Sequence, residues 1–413
     1  MVKREKIELV KRQRIFVGID IAGSKHRARF IDNMGEEQIK PLSFFNDREG
    51  LEKLERRVNE IPRIGDDIIF GLEPTGDYWK PVAQYLREKG YPVVLINPYH
   101  LKRTKEIIDN SQDKTDDKDS YLIADLTKQS KYFFPVIPEG VYAELREVSI
   151  NWKRTSQQVA RLKCHLSNFL AKYFPEYKGI FSDILGKTSL YILKHFPLPE
   201  DIERLGINKL YRVMKKVSKG SIKEGKIQLL YEKARTSIGL KGGSQTAKVL
   251  LKEVLSDIEI LKKRKEKLTK MMDELLYQSG YLKNLLSIPG VGIVAGSLFL
   301  GEIGDPDNYE RASQIEKMAG LNLVENSSGA MKGEKKISKR GRSTLRYVGH
   351  LVATVAIGKS PEIKALYRYK VEECKKEKMK ALTGLSAKML RIMFAVCKNK
   401  TFYKHEEITR YFR

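Results

Sequence analysis

Short apolar runs alternate with amphipathic stretches in the first third of the chain. Residues 14–32, RIFVGIDIAGSKHRARFID, hold two apolar runs of β character separated by AGSK, a pattern that predicts a hairpin. A third run, PLSFF, precedes REGLEKLERRVNEI, in which Leu51, Leu54 and Val58 recur at helical spacing. The chain is therefore expected to begin with three strands and a helix.

The residues that follow alternate between helix and strand. DIIFGLEP predicts a buried strand closed by proline, residues 78–89 predict a helix, and YPVVLINP predicts another strand. Three strands followed by alternating helix and strand predict a mixed sheet flanked by helices over residues 1 to about 135, in a ribonuclease H-like order.

Beyond Pro138 the pattern becomes helical, and no further strand is expected. Residues 141–174 and 244–279 are long, charged and helical in period, so they are expected to pair as an antiparallel coiled coil. A helical insert with breaks at FPLPED and GLKGG separates them. The periodic apolar positions of the second stretch are Leu250, Leu251, Val254, Ile258, Leu261 and Leu268.

A further helical region begins near Leu282. LLSIPGVGIVAGSLFLGEIGD combines a helix end, a PGVG turn and a second helix, which is the pattern of a helix-hairpin-helix. Its turn glycines, Gly290 and Gly292, would expose backbone N–H groups to a phosphate. An ordinary turn between two core helices is the alternative. The predicted domains are residues 1–138, 139–279 and 280–413.

The charge of the chain narrows the class of partner. Lys and Arg number 78 against 52 Asp and Glu, a net charge of +26. So large an excess opposes compaction unless a polyanion neutralises part of it, so nucleic acid is the expected partner. No apolar run approaches the roughly 20 residues that span a bilayer, and MVKREKIELVKRQR lacks the apolar core of a secretory signal. With only three distant cysteines, the protein is expected to be cytoplasmic, without a membrane partner.

Two carboxylates associated with strands are candidates for a metal site. Asp20 lies in FVGIDIA, a run apolar on both faces, where an ionised carboxylate is costly unless it is paired or binds a cation. Glu73 ends the strand of DIIFGLEP, and ligands of open α/β sheets bind at the carboxyl ends of strands. The alternatives are a buried pair between Asp20 and an arginine, and a solvated Glu73.

The acidic stretch SQDKTDDKDSYLIADL starts a helix. Thr115 suits the N-cap position, and acidic residues in the first turn complement the helix dipole, which accounts for Asp116 without a catalytic role. Asp119 is different, because it lies three and four residues before Leu122 and Ile123 and shares their inward face. Asp116 lies one turn earlier on that face.

Four converging carboxylates require a counterion. A pair of unit charges 4 Å apart interacts with about 4 kcal/mol at an effective dielectric constant of 20, so the repulsion among Asp20, Glu73, Asp116 and Asp119 would be large. Divalent cations convert this repulsion into coordination, and oxygen ligands favour Mg²⁺ or Mn²⁺. The expected chemistry is metal-dependent phosphoryl transfer.

Residues 325–346, ENSSGAMKGEKKISKRGRSTLR, place two serines before a basic run. Ser327 and Ser328 are either turn residues or candidates for a nucleophile presented to a phosphate. Gly329 permits a tight backbone that bares the preceding side chain. The basic side chains either form a solvated face or hold a phosphodiester as charged donors. They include Lys336, Lys339, Arg340, Arg342 and Arg346.

Together these motifs resemble those of the DEDD-type insertion-sequence transposases, which are related to the Piv-type DNA invertases. GIDIA, LEPTG, KTDDKD, a coiled-coil middle, PGVG, and SSG followed by ISKRG occur in the family's order over essentially the whole chain. The family's DEDD tetrad corresponds to Asp20, Glu73, Asp116 and Asp119. In most relatives an alanine stands at the position of Ser120.

The resemblance implies a RuvC-like N-terminal domain and a C-terminal transposase domain with a nucleophilic serine. That serine corresponds to Ser328, because relatives keep it directly before the glycine. It would attack a DNA phosphate and leave a phosphoserine linkage while donor and target DNA, both chosen by base pairing to a bridge RNA, exchange strands. The resemblance further implies active sites shared between subunits of a homo-oligomer, with dimers assembling to a tetramer at the nucleoid.

Two other functions remain open at the level of sequence. A nuclease similar to the junction resolvases would use the tetrad for hydrolysis, with Ser328 in a structural role. A nonenzymatic architectural protein would use its basic surfaces only to bind nucleic acid. A covalent protein–DNA adduct distinguishes the recombinase from the nuclease, and activity that survives carboxylate substitution would indicate the architectural protein.

Overall fold

The chain divides after Ile137 into two units, Met1–Ile137 and Pro138–Arg413. The structure is a computed structural model, and it describes residues 2–61, 67–109, 116–325, 333 and 335–405. Two of the four hydrophobic core clusters lie in the first unit and two in the second.

The described part of the first unit contains five helices and six strands. They are α1 (Val2–Lys11), β1 (Ile15–Asp20), β2 (Lys25–Ile31), β3 (Glu37–Phe45), α2 (Arg48–Asn59), β4 (Ile68–Leu72), α3 (Trp79–Glu88), β5 (Val93–Ile96), α4 (Pro98–Asp109), α5 (Asp116–Lys128) and β6 (Tyr132–Phe133).

The six strands form one mixed sheet in the order β3-β2-β1-β4-β5-β6. The pairs β1–β4 and β4–β5 are parallel, and the pairs β1–β2, β2–β3 and β5–β6 are antiparallel. β1 is therefore a central strand, which accounts for the apolar character of FVGIDIA on both faces. The mixed sheet with flanking helices predicted from the sequence is confirmed.

Apolar side chains cover both faces of this sheet. Val17 and Ile19 of β1 belong to the core cluster that contains residues of α2 and α3. Phe16 points to the opposite face and belongs to the cluster that contains Leu122 and Ile123 of α5. This alternation along one strand is expected, because successive side chains of a strand project to opposite sides.

Helix α5 approaches the sheet closely at two glycines. Gly18 of β1 and Gly71 of β4 are register partners. A Cβ atom at Gly18 would lie 2.1 Å from the carbonyl O of Ser120, and one at Gly71 would lie 2.1 Å from Oγ1 of Thr127. The missing side chains therefore let α5 lie directly across β1 and β4.

The second unit is helical apart from one small sheet. Its described elements are α6 (Gly140–Tyr173), α7 (Lys187–His195), α8 (Pro199–Leu205), α9 (Ile207–Val217), α10 (Glu224–Arg235), α11 (Ser244–Gln278), α12 (Leu282–Leu286), α13 (Ile293–Ile303), α14 (Ala312–Ala319), β7 (Leu323–Val324), β8 (Lys336–Ile337), α15 (Ser343–Lys359), α16 (Pro361–Glu372) and α17 (Lys378–Lys398), with 3-10 turns at Pro175–Tyr177 and Pro306–Asn308. None of the helices within the described ranges is apolar over a length sufficient to cross a lipid bilayer.

The long helices α6 and α11 pack against each other in opposite directions. Trp152, in the first half of α6, donates from Nε1 to Oγ1 of Thr269, near the end of α11, at 3.0 Å. Trp152 shares a core cluster with Met272 of α11, whereas Leu166 of α6 shares the other cluster with Leu255. Two separate cores therefore lie at opposite ends of one helix pair.

Three details differ from the sequence prediction. The charged N-terminal residues form α1, whose Leu9 and Val10 pack against the core beneath α5. Strands do occur beyond Pro138, since β7 and β8 pair antiparallel, and strands of two residues are too short to show a period. Leu250 is 56% exposed although Leu251 is buried, because neighbouring positions of a helix point about 100° apart.

The PGVG segment forms the turn between α12 and α13. Gly290 has a φ of +88°, and a Cβ atom there would lie 2.6 Å from the carbonyl O of Val352 in α15. Glycine is needed both for the left-handed conformation and for the close approach of α15. Gly292 is exposed at the N-cap of α13, with open space where a side chain would begin.

Candidate active site

Asp20 and Glu73 lie at the ends of two adjacent strands of the sheet. β1 ends with Asp20, and Glu73 directly follows β4. The residues that precede them, Ile19 and Leu72, are register partners on parallel strands. Both acidic residues are partly buried. They lie at the carboxyl ends of adjacent strands, which is the edge where open α/β sheets bind ligands.

Two arginines of β2 hold the first turn of α5. Arg27, the register partner of Asp20, donates from Nε to Oδ1 of Asp117 at 2.5 Å and from Nη1 to Oγ of Ser43 at 2.9 Å. Arg29 donates from Nη1 to the carbonyl O of Asp117 at 3.2 Å. Because Arg27 stands beside Asp20 in the sheet, these contacts bring the N-terminal turn of α5 to the same edge.

Asp119 of α5 is buried and paired with a lysine of α4. Its exposed fraction is 2%, and its Oδ1 forms an ion pair with Nζ of Lys105. An ionised carboxylate is costly to bury without a countercharge, so Lys105 provides that charge here. Asp116 is the first residue of α5, but its side chain lies outside the described part of the structure, as does Thr115.

The described side chains do not form a closed metal site. Among them, no three histidine, cysteine or carboxylate groups lie close enough together to hold one ion. The donor chemistry nevertheless fits a hard cation, because Asp20, Glu73 and Asp119 offer carboxylate oxygens, the ligands that Mg²⁺ and Mn²⁺ prefer. The ion pair with Lys105 involves Oδ1 of Asp119.

A neutral histidine supports the loop after Asp20. His26 of β2 is 1% exposed, and its Nδ1 accepts a hydrogen bond from the backbone N–H of Ala22 at 3.2 Å. Burial lowers the pKa of His26, against the opposing effect of a hydrogen bond with Asn46. Only an unprotonated Nδ1 can accept the Ala22 N–H. Burial and the hydrogen bond therefore favour the same neutral form.

The candidate nucleophiles Ser327 and Ser328 lie outside the described residues. They belong to the connection between β7 and β8. These two strands pair antiparallel, with Val324 opposite Lys336. Leu323 and Val324 are 64% and 47% exposed. The connection that carries both serines therefore joins the arms of a small, exposed hairpin.

The basic residues after β8 fall into two groups, and the first is exposed. Lys336, Lys339 and Arg340 all have exposed side chains. Lys339 has a φ of +54°, and its backbone N–H donates to the carbonyl O of Gly320 at 3.0 Å. The backbone of this segment is thus fixed next to the end of α14, while its basic side chains remain accessible to solvent.

The second group binds carbonyl groups of the protein. Nη1 of Arg342 donates to the carbonyl O of Glu302 and lies 3.5 Å from its Oε2. Nη1 of Arg346 donates to the carbonyl O atoms of Ala319 and Gly341 at 2.8 and 3.1 Å. Both arginines therefore anchor the start of α15 to α13 and α14. Their role as phosphate donors stays a prediction.

The sequence analysis does not single out Arg27, His26 or Lys105. Arg27 acts on Asp117, a partner 90 residues away, which no local pattern reveals. His26 does leave a signal, because it occupies an inward position of the alternating run KHRARFI together with Ala28. A histidine on the apolar face of a strand indicates a buried ring.

Two segments of the chain match models of transposase families. Residues 17–175 match the DEDD-type family described as "Transposase", and residues 282–368 match the family described as "Transposase IS116/IS110/IS902 family". The first match covers the sheet, α5 and α6. The second covers the PGVG turn, the serine-bearing connection and α15.

Proteins of insertion elements are similar to most of this chain. The insertion element IS116 uncharacterized 44.8 kDa protein of Streptomyces clavuligerus is 22% identical over 95% of this chain and 97% of its own length. The insertion element IS110 uncharacterized 43.6 kDa protein of Streptomyces coelicolor is 19% identical over 94% of this chain and 95% of its own. The insertion element IS900 uncharacterized 42 kDa protein of Mycobacterium paratuberculosis is 22% identical over 70% and 73%. The chain therefore belongs to the DEDD-type insertion-sequence transposases of the IS110/IS116 family.

Proposed function

We propose that this transposase cuts and rejoins DNA by metal-dependent phosphoryl transfer. Asp20, Glu73, Asp116 and Asp119 form the acidic cluster, and Ser328 is the nucleophile. The observation that carries the proposal is that Asp20 and Glu73 end neighbouring parallel strands at the edge to which Arg27 ties the first turn of α5. Membership of a transposase family supports DNA as the substrate.

The sheet order supports a RuvC-like, ribonuclease H-like assignment of the first unit. Antiparallel β3, β2 and β1 continue into parallel β4 and β5, and α5 crosses β1 and β4 at their glycines. In this arrangement the strands supply Asp20 and Glu73, and the helix supplies Asp119 and Asp116. Residues far apart in sequence thereby contribute to one acidic cluster.

Mg²⁺ or Mn²⁺ would be held by the carboxylate oxygens of this cluster. When bound, the ion supplies positive charge that stabilises the oxygens of the phosphate undergoing transfer. The chain's own residues position the elements of the site. Arg27 fixes the first turn of α5 through Asp117, and His26 fixes the loop after Asp20 through Ala22. Lys105 balances the charge of Asp119 in the absence of the cation.

Ser328 is assigned as the nucleophile because it directly precedes the glycine of SSG, as the nucleophilic serine does in the family that the chain resembles. In the proposed step, a bond forms between Oγ of Ser328 and phosphorus while one P–O bond of the DNA backbone breaks. A carboxylate of the cluster accepts the serine proton, and the departing DNA oxygen takes up a proton. Attack by the hydroxyl of another strand reverses the step and rejoins DNA.

We further propose an active site shared between subunits, an oligomer and a guide RNA. The acidic cluster belongs to the first unit and Ser328 to the second, which is compatible with a site completed by another subunit. The antiparallel pair of α6 and α11 would act as the coiled-coil element of a dimer that assembles to a tetramer. Donor and target DNA would be chosen by a bridge RNA, as the family resemblance implies.

Covalent trapping tests the nucleophile. The full chain, purified together with RNA from its own locus, is incubated with Mg²⁺ and DNA that carries the ends of its insertion sequence, and the products are separated on denaturing gels. We expect a protein–DNA adduct that disappears in Ser328→Ala and persists in the neighbouring control Ser327→Ala. Recombination by Ser328→Ala would show the assignment to be wrong. Cleavage without any adduct would favour hydrolysis of the junction-resolvase kind.

Guide RNA is tested separately. RNA that copurifies with the protein expressed from its own locus is sequenced. Two loops complementary to separate DNA sites are the expected result. Recombination by protein freed of RNA would contradict RNA guidance without affecting the serine assignment.

A further inference from the structure

A cavity of about 250 Å³ lies in the second unit, between α6 and the start of α15. Five of its lining residues come from α6, and Glu302 of α13 and Thr344 of α15 complete the wall. A water molecule occupies about 30 Å³ of liquid. The cavity therefore has room for a phosphodiester group with part of its hydration shell.

Positive charge dominates the surroundings of this cavity. Lys153 and Arg154 line it, and Arg146 and Arg342 lie 3.4 and 3.5 Å from Oε2 of Glu302. These residues carry four positive charges against the single negative charge of Glu302. Arg146 and Arg342 alone exceed the charge of this carboxylate, so Lys153 and Arg154 have no negative partner left among the residues that line the cavity.

Arg146 and Arg342 are like charges that both lie next to Glu302. Burial lowers the pKa of the Arg342 guanidinium, the charge of Arg146 lowers it further, and Glu302 acts in the opposite direction. The pKa of Arg342 stays below its usual value in spite of the ion pair with Glu302. An anion that entered the cavity would therefore relieve repulsion among cations as well as gain attraction.

The remaining polar groups suit an anion with several oxygens. Nζ of Lys153 donates to Oγ1 of Thr344 at 2.7 Å, so the ammonium group is held at the cavity with further protons to donate. Arg154 is exposed and forms no ion pair with any residue in the described ranges. Thr344 lies in the first turn of α15, where backbone N–H groups have no partner within the helix.

We propose that this cavity is a binding site for a phosphodiester group of duplex DNA, with Lys153 and Arg154 as its donors. Arg146 and Arg342 hold Glu302 and keep the cavity positive. The site deepens the proposed function, because it rests on DNA as the substrate, but it does not depend on Ser328 or on a metal ion. It would hold DNA against the second unit near the segment that follows the serine-bearing connection.

Binding measurements test the site apart from the chemistry. The full chain carrying Ser328→Ala is titrated with fluorescein-labelled duplex DNA of arbitrary sequence in the presence of EDTA, and anisotropy is recorded over a series of salt concentrations. Lys153→Gln removes the charge and keeps a side-chain N–H donor. We expect Lys153→Gln and Arg154→Gln each to weaken binding about tenfold. Each should also reduce the slope of log K against log salt by about 1.

The matched control is Arg161→Gln, which removes the same charge from an exposed position of the same helix. It should change the affinity less than twofold. If Arg161→Gln weakens binding as much as Arg154→Gln, the effect is one of bulk charge and the site is refuted. The same variants are also titrated with an RNA duplex of the same sequence. Variants that lose RNA binding and keep DNA binding would overturn the assignment to DNA.

Discussion

Gly18 and Gly71 stand opposite each other on β1 and β4, and helix α5 lies against both of them. A Cβ atom at Gly18 would lie 2.1 Å from the carbonyl O of Ser120 and 2.3 Å from the backbone N of Ala124. The two glycines therefore set the distance between α5 and the sheet, and with it the distance between Asp119 and the strand-end carboxylates.

Gly18→Ala should displace α5. Backbone atoms cannot yield as a flexible side chain does, so we expect the free energy of unfolding to fall by about 3 kcal/mol. The measurement is urea denaturation followed by circular dichroism. Gly23→Ala is the control, since a Cβ atom there would meet only the Tyr78 ring at 3.7 Å or more, an ordinary contact. Equal stability of the two variants would mean that α5 does not pack as described.

Asp20→Asn and Glu73→Gln should each abolish DNA cleavage while the fold is retained. Each carboxylate would hold the cation that stabilises the transition state, and loss of one such stabilising interaction costs about 10²–10³-fold in rate. The measurement is cleavage of DNA carrying the insertion-sequence ends, with DNA binding followed in parallel. Glu52→Gln, an exposed position of α2, is the control. Full activity of both site variants would favour the nonenzymatic, architectural function.

Lys105→Met should make the stability of the protein depend more strongly on Mg²⁺. Loss of the lysine leaves the buried Asp119 carboxylate without its countercharge and should cost about 3 kcal/mol when no metal is present. Mg²⁺ should restore much of this loss if Asp119 is a metal ligand. The readout is the Tm with and without Mg²⁺.

Lys128→Met provides the comparison for Lys105→Met, because it breaks an ion pair of 3.1 Å with Asp125 at the other end of α5. Its Tm should respond to Mg²⁺ as that of the unsubstituted protein does. A response of Lys105→Met no larger than that of Lys128→Met would exclude Asp119 from the metal site.

Acid should destabilise the loop after Asp20 through His26. Burial lowers the pKa of His26 below 6.5, so the unfolded chain binds a proton more readily than the folded one. The stabilising contribution is complete above pH 6.5 and is lost as the pH falls from 6.5 through the folded pKa. Its slope is at most about 1.4 kcal/mol per pH unit.

The pH effect is measured as the free energy of unfolding over the range of roughly pH 5 to 8 in which histidines titrate. His26→Asn keeps an acceptor for the Ala22 N–H and should flatten the dependence. His165→Asn, which alters an exposed histidine of α6, should leave it unchanged. The role assigned to His26 is wrong if both variants keep the full slope.

The strand-end position of Glu73 follows from sequence, because Pro74 marks where β4 ends. The sequence places Asp20 only within an apolar strand, whereas the structure shows it as the last residue of β1. The two long helices also follow from sequence, through apolar positions repeated over many turns. The contacts of Arg27 with Asp117 and of Lys105 with Asp119 do not, since they depend on how α4, α5 and β2 meet in space. The assignment of Ser328 concerns a residue outside the described part of the chain and stays a prediction.

The helices α7 to α10 connect the end of α6 to the start of α11 and share one hydrophobic core with both long helices. The N–H of Leu240 donates to the carbonyl O of Lys172 at 3.0 Å, and a Cβ atom at Gly239 would lie 2.1 Å from the carbonyl O of Tyr173. The segment also falls between the two family matches, which end at 175 and resume at 282. The two ends of the segment therefore lie side by side, and a foreign domain could be inserted in one of its loops without separating α6 from α11.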